Sequence, residues 1–174
     1  MMVSDGSVVN TNSIPAPLLF APFSVPDDVE NFAIEAEIQI LGNRWDLAGS
    51  RYYDCLGAGV VARVVDSGGY LIGAMDCPWD YHVDEIDDGP SISVLNLGSF
   101  DNRDFELVEG KPYDYGDRFH TYRIEFDGLT LRVLIDGVQQ LEANGALYLD
   151  NGQVGLISNG TQIAVRRFEI IALD

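Results

Sequence analysis

A chain of 174 residues with 47% hydrophobic and 22% charged residues, 18 Gly and 7 Pro is sized and composed for one globular domain, which excludes wholesale disorder and collagen-like repeats. Its 28 Asp and Glu against 10 Lys and Arg give a net charge of −18, so no basic face is available to neutralise phosphates, and binding to nucleic acid or to an anionic membrane is excluded. No stretch approaches the roughly 20 consecutive apolar residues of a spanning helix, so membrane insertion is not expected and cations, neutral sugars and proteins are left as partners.

The first 17 residues are polar, hold Pro15 and Pro17, and are expected to form a flexible leader; the domain itself is read as 18–174, opening with an edge strand at Leu18 to Phe20. From Phe32 to Leu41 the apolar residues Phe32, Ile34, Ala36, Ile38 and Ile40 alternate with Ala33, Glu35, Glu37 and Gln39, a period of two that predicts a long strand with one wet face. Gly57 to Asp66 and Gly69 to Asp76 flank a short Gly-bearing link at Ser67-Gly68 and predict a hairpin. Ser91 to Leu97 is a shorter strand after Pro90, and Phe105 to Val108 a weaker one.

Phe119 to Phe126, Leu129 to Ile135 and Val138 to Ala143 read as a three-stranded meander. Its connections, Asp127-Gly128 and Asp136-Gly137, supply the positive φ angles of type I′ turns. Gln153 to Ile157 and Gln162 to Leu173, around Asn159-Gly160, close the chain. With about ten short strands, no capped amphipathic helix and no repeat, the predicted fold is all-β, a single-domain antiparallel β-sandwich or barrel.

Four elements of the last third are Phe119-His120-Thr121-Tyr122, Ile135-Asp136-Gly137, Gly152-Gln153-Val154-Gly155-Leu156 and Phe168-Glu169-Ile170-Ile171. With FAIEAEIQI and GAGVVARVVDSGGYLIG upstream, they give the chain a pattern that resembles concanavalin A-like, laminin-G-like jelly rolls over roughly residues 18 to 173. The resemblance implies a jelly roll of two packed sheets. That family holds carbohydrate-binding modules, adhesion domains and sugar hydrolases, and the matching residues are turn glycines and core apolar residues, so the resemblance speaks to fold and not to chemistry.

If the strand at Phe32 runs up, the next two run down and up, which brings the loops 42 to 56 and 77 to 89 to one end. These loops carry Trp45, Tyr52, Tyr53, Trp79, Tyr81 and His82, and the loop 109 to 117 with Tyr113 and Tyr115 joins them if the alternation persists. Aromatic faces stack on sugar rings while Asp side chains hold hydroxyls, so this end is a candidate carbohydrate site; the same rings could instead roof the core. Asp80, Asp84, Asp87 and Asp88, with Glu85, are hard oxygen ligands at short spacing that suit Ca²⁺, or else an ordinary solvated acidic loop, since the D-x-[DN]-x-[DN]-G pattern is missing.

Glu35 and Glu37 share a strand face about 7 Å apart and could act as the two carboxylates of a sugar-cleaving enzyme, although Ile40 stands where catalytic relatives carry a third acid. Arg63 and Arg123 are the residues expected to neutralise them across strands, which would make the pair structural. His120 belongs to the strand start and is read as a packing residue. Cys55 and Cys77 form either a disulfide or two core thiols, and lie three positions off direct opposition if the hairpin turns at Ser67-Gly68.

The reading is a non-catalytic, carbohydrate-binding module on the cell surface or within a larger secreted protein, with no cofactor required beyond the Ca²⁺ option. The alternatives are a glycoside hydrolase using Glu35 and Glu37, and a protein-interaction or assembly domain without a small ligand.

Overall fold

The computed structural model describes residues 2–4, 7–9, 18–26, 28–43, 56–65, 68–77, 89–97, 105–144, 152–159 and 161–174. Among them the alternation seen in the sequence becomes thirteen strands and no helix: β1 (Met2–Ser4), β2 (Ser7–Val9), β3 (Leu18–Ser24), β4 (Phe32–Asn43), β5 (Leu56–Val65), β6 (Gly68–Cys77), β7 (Gly89–Leu97), β8 (Phe105–Pro112), β9 (His120–Asp127), β10 (Thr130–Ile135), β11 (Val138–Asn144), β12 (Gln153–Asn159) and β13 (Thr161–Ala172). They form two antiparallel sheets, of order β1-β2-β13-β4-β9-β10-β11 and β3-β12-β5-β6-β7-β8. Within the stretch expected to be a flexible leader, β1 and β2 pair as a short hairpin that extends the first sheet beyond β13.

The sheets pack face to face because their central strands each offer one apolar row. Phe32, Ile34 and Ile38 of β4, Ile124 and Phe126 of β9, and Leu131 and Val133 of β10 meet Val60 of β5, Tyr70 and Ile72 of β6, and Ile92 and Val94 of β7, all buried. Full burial of such a side chain contributes about 1.5–3 kcal/mol. Phe32 and Phe126 stack with centroids 4.9 Å apart, and Tyr70 lies 6.1 Å from Phe126.

Two local expectations change. Asp127 pairs with Thr130, so the β9–β10 loop is Gly128-Leu129 with the positive φ at Gly128 (56°), the pattern of a type II′ turn. Asp136 (51°) and Gly137 (78°) are both positive, as type I′ requires. Arg63, expected to face the glutamates, does not: a register shift between Ala62 and Val65 and a φ of 51° at Arg63 turn its side chain into the core. An inserted residue reverses the side on which the following residue lies, and simple alternation cannot anticipate it. The guanidinium stands 4.6 Å from the Phe126 ring centroid and 5.6 Å from that of Phe32. Burial lowers its pKa, partly countered by Tyr70.

The same irregularity resets the hairpin. Val65 pairs with Gly68, and the ladder ends with Leu56 opposite Asp76. Continued one step outward, that register would set position 55 opposite 77 rather than three positions off. Cys55 lies outside the described residues; opposed Cα atoms in an antiparallel ladder stand about 4.5–5.5 Å apart, within disulfide range. Iodoacetamide is therefore expected to label neither cysteine of the denatured protein until a reductant is added. Labelling of both without reductant would contradict the bridge.

Candidate functional site

The register shows which connections share an end of the sandwich. Asn43, at the end of β4, pairs with Thr161, at the start of β13; Gly57, near the start of β5, pairs with Asn159, at the end of β12. The same end continues through the pairs Gly57 with Met75, Cys77 with Gly89 and Ser91 with Pro112 in one sheet, and Ile38 with His120 in the other. Segments 44–55 and 78–88, the crossover 113–119 and the β10–β11 turn are all attached here, as the count of strand directions requires. The third connection is 113–119 rather than 109–117, because β8 continues to Pro112. Trp45, Tyr52, Tyr53, Trp79, Tyr81, His82 and the acidic set Asp80, Asp84, Asp87 and Asp88 lie outside the described residues, so the structure fixes the anchors of their segments and not their side chains. Among the described residues, no group of three or more His, Cys, Asp and Glu could hold a metal ion.

The crossover carries Tyr113 and Tyr115 from the six-stranded sheet to the seven-stranded one and is tied to both. The Tyr113 amide donates to the Pro90 carbonyl at 2.9 Å, and Gly116 donates to Asp114 Oδ1 at 2.9 Å, a local turn. Gln39 Nε2 donates to the Asp117 carbonyl. Arg166 lays its guanidinium 3.7 Å from the Phe119 ring centroid while reaching Glu37 at 3.6 Å. Tyr113 and Tyr115 are half-buried and pack on the core.

Asp136 organises the junction behind this crossover. Its amide donates to the Thr121 carbonyl and the Thr121 amide donates to its Oδ1, both at 2.9 Å. Its Oδ2 takes His120 Nδ1 at 2.8 Å and the exposed Arg118 at 3.4 Å. A carboxylate only accepts, so Nδ1 of His120 carries the proton. The His120 ring is buried between the edges of Tyr113 and Tyr122, each with its centroid 6.4 Å away. His120 is thus a packing residue, as read from the sequence. Asp136, Thr121, Arg118 and Phe119 were not singled out as site residues; the available signal was the second Asp-Gly turn, which strand counting places at the same end as His120.

Burial, the largest influence on the Asp136 carboxyl, raises its pKa, but the Thr121 amide, His120 and Arg118 together outweigh it and hold the group below its ordinary value. A carboxyl lowered on folding stabilises the native state above its unfolded value, about 4, and that contribution is lost as pH falls through the folded value. The melting-temperature gap between wild type and Asp136→Asn is therefore expected to narrow from about pH 6 to about pH 3. A gap independent of pH would contradict the assignment.

The broad faces of the sandwich offer less. On the seven-stranded sheet, Glu35 gives one oxygen to Arg123 at 3.2 Å and the other to Arg167 at 3.1 Å, and Arg123 also reaches Glu125 at 2.7 Å. Arg132 links Asp127 at 3.1 Å and Glu142 at 3.2 Å. Glu35 and Glu37 therefore sit in a lattice of alternating charge and are each engaged by arginine, Arg123 as expected and Arg63 not. On the six-stranded sheet, the row turned away from the core runs Gly59, Gly73, Ser93, Gly110, flanked by Val61 and Ser91. Val61, Ser91 and Ser93 are all at most 2% exposed, so this stretch of the face is closed to solvent.

No protein-family model and no curated protein sequence matches the chain. Solved structures do. The carbohydrate-binding module CBM66 from Bacillus subtilis is similar with a TM-score of 0.63 at 17% identity, covering 92% of this chain and 84% of that one. The exoplasmic/lumenal domain of VIP36, in a form bound to Ca²⁺ and mannose, gives 0.66 at 13% identity over 99% and 80%. Alginate lyase AlyC3, in complex with dimannuronate, gives 0.57 at 10% over 97% and 76%. At these identities the likeness is one of fold: the chain is a jelly-roll β-sandwich of two packed antiparallel sheets.

Proposed function

We propose that the protein is a non-catalytic carbohydrate-binding module whose site lies at the end of the sandwich where segments 44–55, 78–88 and 113–119 are attached. The observation that carries this reading is the register, which gathers at one end the anchors of every segment bearing the aromatic candidates and adds Tyr113 and Tyr115 to them. Trp45, Tyr52, Tyr53, Trp79 and Tyr81 would supply the faces on which sugar rings stack, with Asp side chains accepting hydroxyls. The fold shared with a carbohydrate-binding module and a mannose-bound lectin domain supports the ligand class. A cell-surface or secreted setting follows from the same reading. Glu35, with both oxygens on guanidinium groups, has the surroundings of a structural carboxylate rather than a catalytic one.

A ligand that binds only the native state raises its stability, by about 2.7 kcal/mol at a hundredfold excess over Kd. Thermal melting against a panel of neutral oligosaccharides is expected to show such a rise with at least one member, and Trp79→Ala, still folded, is expected to abolish it. No rise with any sugar, together with self-association in solution, would favour the assembly role instead. Hydrolysis of a polysaccharide that disappears in Glu35→Gln would favour the enzyme.

A further inference from the structure

We propose that Asp136 is a positioning residue for the carbohydrate site: by clamping the start of β9 to the β10–β11 turn, it fixes the His120 ring against which Tyr113 packs, and so sets how the crossover presents Tyr113 and Tyr115 to a ligand. This rests on the reading that the site lies at this end of the sandwich. The geometry is a relay of contacts. Asp136 holds the Thr121 amide, the His120 imidazole and, through Arg118, the crossover itself. His120 meets Tyr113 edge-on, and the amide of Tyr113 is fixed on the opposite sheet by Pro90. The Asp136 side chain is 40% exposed and that of Arg118 74%, so the clamp stands at the rim, within reach of change, while His120 at 6% is sealed behind it.

Among the described residues, the charged and titratable groups around the pair are Tyr113, Asp114, Tyr115 and Arg118 from the crossover and Tyr122 from β9. Burial raises the phenols of Tyr113 and Tyr122, with Asp136 adding in the same direction. The carboxylate is thus felt at both rings that enclose His120. It makes no contact with ligand in this role; it acts through His120 and Arg118.

The test uses Asp136→Asn, which keeps the size and tolerance of positive φ but removes the charge, and Arg118→Gln, which removes only the crossover's own tie on an exposed side chain. Two readouts are taken on the intact chain: the aromatic NMR resonances of Tyr113 and Tyr115 without ligand, and affinity for whichever oligosaccharide of the panel raises the melting temperature. Asp136→Asn is expected to shift both tyrosines and to weaken binding about tenfold, the size of one charge-assisted hydrogen bond. Arg118→Gln is expected to act in the same direction by about threefold or less, the size of an exposed pair. Unmoved tyrosine resonances in a folded Asp136→Asn protein would overturn the proposal, as would unchanged affinity. If no sugar binds the wild type, the carbohydrate reading fails by itself, and the tyrosine resonances still decide whether Asp136 positions the crossover; should Asp136→Asn not fold, the resonances and affinity of Arg118→Gln decide it.

Discussion

Gly59→Ala is expected to cost about 3 kcal/mol, the upper end for added volume in a packed site, and to lower the melting temperature by about 6–12 °C. A methyl group built on Gly59 would stand 2.2 Å from the Ile72 carbonyl oxygen and 2.7 Å from the Gly73 Cα; one built on Gly73 would stand 2.4 Å from the Ala58 carbonyl oxygen. The atoms in the way belong to the β5–β6 ladder, so relief requires separating two strands that lie between β12 and β7. Gly73→Ala should behave alike. Gly116→Ala provides the contrast: its Cβ would meet nothing within 4 Å, and only its φ of 53° resists, at about 1 kcal/mol. Equal losses at Gly59 and Gly116, measured by thermal melting, would contradict the close approach of β5 and β6.

Phe126→Ala should be at least as damaging, with a loss of about 3–5 kcal/mol. The ring is fully buried, stacks on Phe32, borders Tyr70 and lies under the Arg63 guanidinium. Its removal leaves a cavity and also takes away the aromatic surface that accompanies a buried cation, so the penalty exceeds that of lost apolar area alone. Phe126→Leu refills most of the volume without the ring and should recover part of the loss but not the cation–π contribution. Urea unfolding distinguishes the outcomes: a loss under about 1.5 kcal/mol for Phe126→Ala would mean that Arg63 and Phe32 do not depend on that ring.

Most of the strand layout was legible because burial on one face imposes a period of two, and that period survives in Phe32 to Ile40 and in His120 to Phe126 without help from tertiary context. What alternation could not show were the places where one residue is inserted. The shift at Ala62 to Val65 turned Arg63 from an expected surface partner of Glu35 into a core residue, and moved the β5–β6 register so that its described part ends with Leu56 opposite Asp76. The Asp127-Gly128 pair looked the same as Asp136-Gly137 in sequence, yet pairing set both its residues one position earlier in their turn. The end at which a site could form was legible from strand direction alone. The clamp around Asp136 was not, because it joins residues fifteen and more positions apart through a side chain that also serves as a turn residue.

On the seven-stranded sheet four arginines, Arg123, Arg132, Arg166 and Arg167, are paired with six carboxylates, Glu35, Glu37, Glu125, Asp127, Glu142 and Glu169. The exposed pairs among these contribute little individually, about 0–1 kcal/mol; with the part-buried Arg123–Glu35 pair, they keep Glu35 and Glu37 occupied.

Backbone amide shifts recorded while an oligosaccharide from the panel is titrated in test the location of the site most directly. The largest changes are expected at Tyr113 to Arg118 and at the anchors Asn43, Gly57 and Gly89. Changes centred on Glu35, Arg123 and Glu125 would place the ligand on the broad sheet face and contradict the account.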